Sequence, residues 1–523
     1  MRKFNSYGPV DEKKDFTVHR QDLIKTCRNN LIGDIDGGHY FTIWAQRQTG
    51  KTWLMRRVKE EIEVKYPDKF VIGTMSAQRV IFRQNDSDES FFRQLSNLFK
   101  LCFNIEIPMI QNWDDWINFF LTGKIFNRPV ILFIDEFDKL PPNIIDNMLT
   151  LFREMYLNRE NYCLHGLALI GVLGVESERG SPFNIQRSLH IPNFVKDEVI
   201  DLYQQYQNES GQKIDSSVVE KIFESTRGQP GLVCWFGELL TETYNPETQK
   251  IININDWENV FEAAVYKEWN NSVLNLIKKA KGEYLNYVTE LFTKPNISFS
   301  IWSDWCSYLY FNGIIDEQIN IDSNGKENYV CRFSSPYVQA CLYNALTIDI
   351  IGDKMPITAL TPLDDLSDVF ENKEINVPNL LERYKDYLKR LKARGINTWK
   401  EQPRRTDLHL TEAVGHFHLY AWLKEALLDS CIISPEFPTG NGKVDLHLKC
   451  KDKKGIIEVK SFQNYPKLVQ GKTQSANYAK KMCLDSVTMA LFAPFDDESI
   501  IEKLSTQEII DGVKVTVVTI AWT

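Results

Sequence analysis

The sequence predicts an α/β fold in two parts: a parallel sheet with a helical lid and a winged helix over residues 1–350, and a second α/β domain at the end. Three observations predict it. Apolar runs of strand length (Tyr40 to Trp44, Phe70 to Thr74, Val130 to Ile134, Leu167 to Leu173) alternate with longer helical patterns over residues 1–195, the mark of a parallel sheet wrapped by helices. The pattern then turns helical. After residue 378 a hairpin-like pair appears, Gly442 to Leu448 and Ile456 to Lys460, with alternating polar and apolar positions.

The bulk numbers fit this division. A chain of 523 residues is too long for one ordinary core. With 43% hydrophobic and 25% charged residues it reads as globular, and no apolar run approaches the roughly 18 residues of a membrane span. No membrane partner is expected. The opening Met1 to Gly8 has no apolar stretch after its basic residues, so it does not read as a secretory signal and a cytoplasmic location is expected. Ten cysteines are scattered singly, with no zinc-type spacing, and are expected to be reduced, mostly buried thiols. A net charge of −9 argues against a chain that coats nucleic acid indiscriminately but leaves room for a local basic surface.

Within residues 1–195 the strands and helices form the sheet domain. Residues 196–270 are helical at Val195 to Gln207 and Ser216 to Ser225, and a Gly228-Gln229-Pro230-Gly231 break opens a further helix at Leu232, as in a small lid. Residues 271–350 give short helices, then Gly313-Ile314-Ile315, a polar turn at Asp322-Ser323-Asn324-Gly325 and a strand from Tyr329 to Phe333. Helices followed by a hairpin suggest a winged helix. Gly352, Pro356, Pro362 and Pro378 mark 351–378 as a linker or covering segment, and 379–523 is the last domain. There is no internal repeat and no low-complexity tract.

Between the first strand and the helical run Trp53 to Val64 stands Ala45-Gln46-Arg47-Gln48-Thr49-Gly50-Lys51-Thr52. A strand, this turn and then a helix is the context of a nucleotide phosphate loop for ATP or GTP with Mg²⁺. Gly50 lets the backbone approach the phosphates. The successive N–H groups of Gln48, Thr49 and Gly50 and the helix N-terminus face the anion, Lys51 reaches the β/γ oxygens, and Thr52 ligates Mg²⁺. Ala45 replaces the first glycine of the usual motif. A second element supports the reading: Val130 to Ile134 ends in Asp135, which would hold Mg²⁺ through water, and Glu136, which would polarise the attacking water.

These residues resemble the AAA-type and related signal-transduction ATPases, in particular the AAA-like domains that begin with a Tyr-Gly-Pro-Val and Phe-x-Val-x-Arg lead-in, here Tyr7 to Val10 and Phe16 to Arg20. The resemblance covers about residues 5–350, including Ser181 to Ile185 and Gly228-Gln229-Pro230. It implies ATP as the nucleotide, a polar γ-phosphate sensor after the fourth strand, and an arginine supplied in cis or by a neighbouring copy. Ser177, Arg179 and Arg187 are the local candidates, and a trans arginine implies a homo-oligomer.

In the last domain, alternation puts Glu458 and Lys460 on one face of a strand and Ile457 and Val459 on the other, and a hairpin brings Asp445 onto the polar face. Two carboxylates and a lysine around one point suit phosphodiester hydrolysis: Mg²⁺ on oxygen ligands and a cation to orient water or steady the developing charge. Upstream, Glu412 and His416 share a face of the amphipathic run Leu408 to Leu427, where His418 and Glu425 compete for the role. Downstream, Gln474 and Tyr478 lie one turn apart at the head of a helix. This order of elements over about 405–495 resembles the PD-(D/E)XK nuclease superfamily, which has a restriction-endonuclease-like fold, and especially its exonuclease-like branch. The resemblance implies Asp445 and Glu458 as metal ligands, Lys460 as the catalytic lysine, Glu412 or His416 as the helix ligand, and Gln474 and Tyr478 as substrate-positioning residues, with His416 alongside them. Mn²⁺ is an alternative to Mg²⁺ there.

Just upstream, nine lysines and arginines lie between Arg383 and Arg405, with Tyr384, Tyr387 and Trp399 interleaved. Such a face suits a phosphate backbone and offers rings for stacking. The combined expectation is an ATP-binding and ATP-hydrolysing, Mg²⁺-dependent nuclease acting on nucleic acid, DNA foremost, of the kind linked by resemblance to mobile elements or phage defence. The alternatives are an ATP-dependent DNA-binding switch or scaffold with an inactive nuclease fold, and a motor with cleavage secondary.

Overall fold

Main-chain pairing gathers the apolar runs into two separate sheets and a hairpin. The computed structural model describes residues 1–33, 37–81, 88–171, 187–292, 294, 296–321, 325–351, 357–361, 366–370, 375–400, 402, 411–436, 445–450, 453–481 and 484–522, the side chains of 88, 187, 349–351, 429, 436, 445 and 481 excepted. The chain divides into two compact units. The first holds Met1–Leu274 with Tyr308–Ile314 and Ser334–Val338, and the second holds Asn275–Ser307, Ile315–Phe333 and Gln339–Thr523.

In the first unit, β1 (Tyr40–Trp44), β2 (Val71–Ser76), β3 (Val130–Asp135), β4 (Leu164–Gly171) and β5 (Arg187–His190) form an all-parallel sheet in the order β2-β3-β4-β1-β5. Successive residues of β3 enter different cores. Val130, Leu132 and Ile134 pack with Trp116, Phe99 and Phe152, whereas Ile131 and Phe133 pack with Leu54, Val58 and Ile62. Burial on both faces is why these strands read as unbroken apolar runs rather than as alternation. The edge strand β5 was not foreseen, because Arg187-Ser188-Leu189-His190 is short and polar and its pairing with β1 comes from position alone. The segment expected to form the lid contains helices Lys196–Ser210, Ser216–Thr226, Pro230–Glu238 and Ile254–Tyr266.

In the second unit, β6 (Ile315–Ile321) and β7 (Glu327–Phe333) form an antiparallel pair. The last sheet contains β8 (Ile432–Glu436), β9 (Asp445–Cys450), β10 (Lys453–Ser461), β11 (Ser486–Ala493), β12 (Gln507–Ile510) and β13 (Val513–Ala521), in the order β12-β13-β11-β10-β9-β8. The first three of these strands form an antiparallel meander. Helix Tyr465–Lys481 then carries the chain over to β11, parallel to β10. Ala476 and Ala479 of that helix pack on Ile456, Val487 and Val515. On the opposite face Phe492, in register with Ser461, meets the rings of Tyr384 and Trp399. The result is a helix, sheet, helix sandwich.

Four expectations are corrected here. Helix Glu412–Leu427 is not amphipathic: it is buried nearly all round, and its histidines are core groups whose Nδ1 atoms meet tyrosine hydroxyls, His416 2.7 Å from Tyr343 and His418 2.6 Å from Tyr384. Gln474 and Tyr478 lie in the second half of helix Tyr465–Lys481, not at its head, because the helix starts nine residues earlier, at Tyr465. The cysteines are not all thiols. β8 pairs Ile432 with Lys449, which sets Cys431 opposite Cys450, and the two form a disulfide. Finally, Tyr384, Tyr387 and Trp399 are buried against His418, Trp422 and Phe492, so their rings do not face a nucleic acid. Their lysine and arginine neighbours are partly engaged: Arg383 pairs with Asp368, Lys385 with Glu382, Lys389 with Asp386 and Lys392 with Asp496. Lys400 is exposed, and Arg404 and Arg405 lie outside the described residues.

Candidate functional site

Parallel pairing brings the C-terminal ends of β1 and β3 to one edge of the first sheet, where the Ala45–Thr52 turn meets Asp135 and Glu136. Gln48 has φ +58° and Gly50, which caps helix Lys51–Lys65, has φ +91°. Left-handed backbone at both positions is what turns the loop, and glycine adopts it freely. Thr49 Oγ1 donates to the Gln46 carbonyl at 2.8 Å, closing the turn on itself. Lys51 Nζ donates to the carbonyls of Ala45 (2.8 Å) and Gln46 (2.5 Å), curled within the loop it would leave for phosphate oxygens. Burial pushes this ammonium down to about 8, against the opposing pull of Asp135, Asp138 and Glu136. Thr52 Oγ1 donates to Asp135 Oδ2 at 3.1 Å, so the two expected Mg²⁺ partners already touch.

Glu136 follows with φ +53°, its N–H donating to Asp135 Oδ1 at 2.9 Å. Its Oε2 and Asp138 Oδ1 are buried with no hydrogen-bond partner among the described residues. Buried anionic oxygens left open beside a loop of N–H donors and a lysine fit a cation and a phosphate chain together. Asp138 had not been singled out, although the Asp-Glu-Phe-Asp spacing after β3 was its visible signal.

A cleft of about 550 Å³ opens at this point, within the range of nucleotide-sized pockets. The lead-in forms one wall with Asn5, Ser6, Gly8 to Val10, Phe16 to Val18 and Arg20, and the lid contributes Pro230, Gly231 and Cys234. Arg47, Arg56, Gln78 and Lys139 also line it, and single-residue reasoning passed over them. Specific bonds hold the walls. Arg20 grips Glu198 with two nitrogens (3.0 and 3.1 Å) and the carbonyls of Pro192 and Asn193. Gln48 Nε2 donates to the Ser6 carbonyl at 3.0 Å, and Gln229 Nε2 of the lid donates to the Arg47 carbonyl at 2.8 Å. Of the sensor and arginine candidates, Ser177, Arg179 and the side chain of Arg187 lie outside the described residues, as does Ser181 to Ile185.

The second candidate site lies on β10. Glu458 is fully buried, and Lys460 Nζ stands 3.5 Å from Glu458 Oε1 and 3.3 Å from Glu412 Oε1. Of the two acidic residues of the helix, Glu412 faces Lys460, and Glu425 is exposed. Asp445 is the register partner of Glu458 across the β9–β10 ladder, so the two share a face of the sheet; its side chain lies outside the described residues. His416 is buried beside Lys460, whose charge adds to burial in pushing it down to about 3, and its Nε2 has no hydrogen-bond partner among the described residues. Tyr478 approaches His447 Nε2 at 3.3 Å, and Gln474 is exposed one turn before it. Among the described residues no three His, Cys, Asp or Glu side chains gather closely enough to hold a metal ion.

The loop, the Thr52–Asp135 contact and the parallel sheet define the first unit as an ATP-binding P-loop domain of the AAA ATPase type. The chain belongs to the AAA-like domain family, whose model matches residues 5–280. Similar solved structures include the Walker-type ATPase PABY2304 of Pyrococcus abyssi, at 14% identity and a TM-score of 0.44 over 65% of this chain and 99% of that one. They also include Cdc6p from Pyrobaculum aerophilum, at 14% and 0.35 over 66% and 98%. The Aeropyrum pernix ORC1 protein in complex with DNA gives 12% and 0.32 over 64% and 93%. No curated protein matches the chain. No helix among the described residues is long and apolar enough to cross a membrane.

Proposed function

We propose that this chain is an ATP-hydrolysing, Mg²⁺-dependent nuclease, with DNA as its first substrate, in which the AAA-like domain controls cleavage by the C-terminal domain. The observation that carries the reading is the Glu412, Lys460, Glu458 chain on β10, with Asp445 in register beside Glu458. The order helix, three-strand meander, crossover helix and parallel strand supports it as the scaffold of a restriction-endonuclease-like domain. Asp445, Glu458 and Glu412 would hold Mg²⁺ or Mn²⁺, which supplies Lewis-acid activation of water and of the scissile phosphate. Lys460 steadies the developing charge, and Gln474 and Tyr478, with His416 behind them, position the substrate strand.

In the AAA-like domain Gln48, Thr49, Gly50 and Lys51 would hold the phosphates, Thr52 and Asp135 would hold Mg²⁺, and Glu136 would polarise the attacking water. The five-part division at 195, 270, 350 and 378 stands with this reading, and so do a cytoplasmic location and a homo-oligomer supplying an arginine in trans. Helices Asn271–Ala280, Leu285–Leu291 and Asp304–Phe311 followed by β6 and β7 support a winged helix. Its strands carry Asp316, Glu317 and Glu327, and Arg332 is paired with Asp316, which favours a relay over a phosphate reader.

One observation favours the second reading, an ATP-dependent DNA-binding switch or scaffold whose nuclease fold does not cut: Glu458 is wholly buried and ion-paired. A single assay separates the two. The full chain is incubated with duplex DNA, single-stranded DNA and RNA, with Mg²⁺ or Mn²⁺, with and without ATP, beside Lys51→Ala, Asp445→Ala and Lys460→Ala. The nuclease reading expects metal-dependent cutting that Asp445→Ala and Lys460→Ala abolish. Salt-sensitive DNA binding without cutting under any condition establishes the scaffold.

A further inference from the structure

The cysteines of the two units differ in company. Cys27, Cys102, Cys163 and Cys234 of the first unit have thiols pushed up to between about 11 and about 12, mainly by burial. In the second unit Cys306, on helix Asp304–Phe311, and Cys331, on β7, stand with their sulfurs 3.8 Å apart. The approach is held by main chain on both sides. Cys331 N donates to the Ile297 carbonyl at 2.7 Å and Phe299 N to the Tyr329 carbonyl at 2.9 Å, so segment 297–299 lies antiparallel to β7 through an isolated bridge between Ser298 and Val330. Ser300 N–H, at the end of that segment, points at Cys306 Sγ from 3.4 Å, and Cys331 Sγ is 3.6 Å from the Ser298 carbonyl. The Ser300 amide thus donates to Cys306, while the single Cys331 thiol proton has two acceptors within reach, the Ser298 carbonyl and Cys306 Sγ, and either sulfur can be the donor across the pair. This hydrogen bonding pulls Cys306 down to about 7 and pushes Cys331 up. A thiol biased toward thiolate with a second thiol in contact has the chemistry of an oxidisable pair.

We propose that Cys306 and Cys331 are a hydroperoxide-oxidisable thiol pair that closes to a disulfide joining β7 to helix Asp304–Phe311. Cys306 thiolate attacks the peroxide O–O bond; with one proton taken up, it becomes the sulfenic acid and one water leaves. The Cys331 sulfur then attacks the Cys306 sulfur, the S–O bond breaks, and the Cys331 proton leaves with the hydroxyl as a second water. Two thiols are oxidised by two electrons and one peroxide is reduced. A small neutral oxidant suits the site, since both cysteines are buried. Closing the sulfurs from 3.8 Å to a bond of roughly 2.05 Å is the movement the reaction requires. The inference is independent of ATP binding and of nuclease activity.

Lys326 is the only lysine or arginine between the two cysteines, so trypsin separates them unless a disulfide joins them. The full chain is treated with hydrogen peroxide, its free thiols are alkylated, and the digest is read by mass spectrometry without reductant. The expected product is peptide 327–332 linked to the peptide that carries Cys306, and dithiothreitol should release it. Cys331→Ser should stop Cys306 at the sulfenic acid, which dimedone captures, while Cys306→Ser should leave Cys331 a thiol. Recovery of Cys306 as an alkylated free thiol from peroxide-treated wild type overturns the proposal, as does its linkage to Cys341 instead. The wild-type measurement decides even if a variant misfolds.

Discussion

The nucleotide cleft and the β10 cluster both pair carboxylates with a lysine, yet they handle the charge in opposite ways. In the cleft the backbone does most of the work: eight consecutive residues build the turn, and Lys51 rests on two loop carbonyls within a space of about 550 Å³. On β10 the groups come from a helix and two strands, and Lys460 is held between two carboxylates, one of them fully buried. A lysine on carbonyls can be drawn off by phosphate at small cost, because it leaves neutral partners behind. A lysine between carboxylates is released only when another cation replaces it, since an unpaired buried carboxylate is expensive. The first arrangement is open to an anionic ligand, whereas the second is already charge-balanced from within.

The largest effect that could break this comparison is at Lys460. Lys460→Ala should lower the cleavage rate by about 10²–10³-fold, the range for loss of one charge-stabilising donor, while leaving ATP affinity unchanged in a calorimetric titration. Equal cutting by both proteins would remove Lys460 from the chemistry. Next comes Lys51→Ala, which forfeits charge-assisted hydrogen bonds of roughly 1.5–3 kcal/mol and should weaken ATP binding by about 10- to 150-fold. If metal-dependent cutting without ATP is the same in this variant, the two sites are chemically separate. If that basal cutting also falls, their independence is lost.

How much of this was legible follows from the same contrast. The phosphate loop could be read directly because its chemistry is local, with a strand before, a helix after and left-handed residues between. The parallel sheet could be read because strands such as β3 bury both faces and so show unbroken apolar runs. The β10 elements could be read as an ordered pattern, but their surroundings could not. Helix Glu412–Leu427 looks amphipathic because histidine and tyrosine count as polar, whereas hydrogen bonds such as Tyr384 to His418 make them core residues. The same effect misassigned Tyr384, Tyr387 and Trp399 to a stacking face. Cys431 and Cys450 meet only through the β8–β9 register, which a separation of 19 residues does not disclose.

A smaller effect sharpens the picture of the open cleft. Gly231 brings the lid so near the loop that an added Cβ would lie 2.6 Å from Gln48 Cβ, a contact that real structures do not show. Gly231→Val should therefore cost about 1–3 kcal/mol through overpacking, visible as a lower Tm of the first unit. Saturating ATP should restore less of that Tm than it adds to wild type. An unchanged Tm would mean that lid and loop part freely, and that the Gln229 bond to Arg47 alone joins them.

The last test bears on the second unit. His418 is buried with Nδ1 on the Tyr384 hydroxyl, and burial pushes it down to about 3, against an unfolded value of roughly 6.5. Its folded value is the depressed one, so the unfolded chain takes up the proton first. Stability is complete above about pH 6.5 and falls as the pH drops from there toward 3. At pH 5.5 the unfolded chain gains about 1.4 kcal/mol from this one group, close to a tenfold change in the folding constant. Urea unfolding followed at pH 7.5 and 5.5 should show that loss in wild type, and His418→Gln should show a smaller one even if its stability at pH 7.5 is already reduced. Identical pH dependence in the two proteins would mean that His418 is not held neutral in the core, and the contrast between an open first site and a charge-balanced second one would lose its physical basis around this helix.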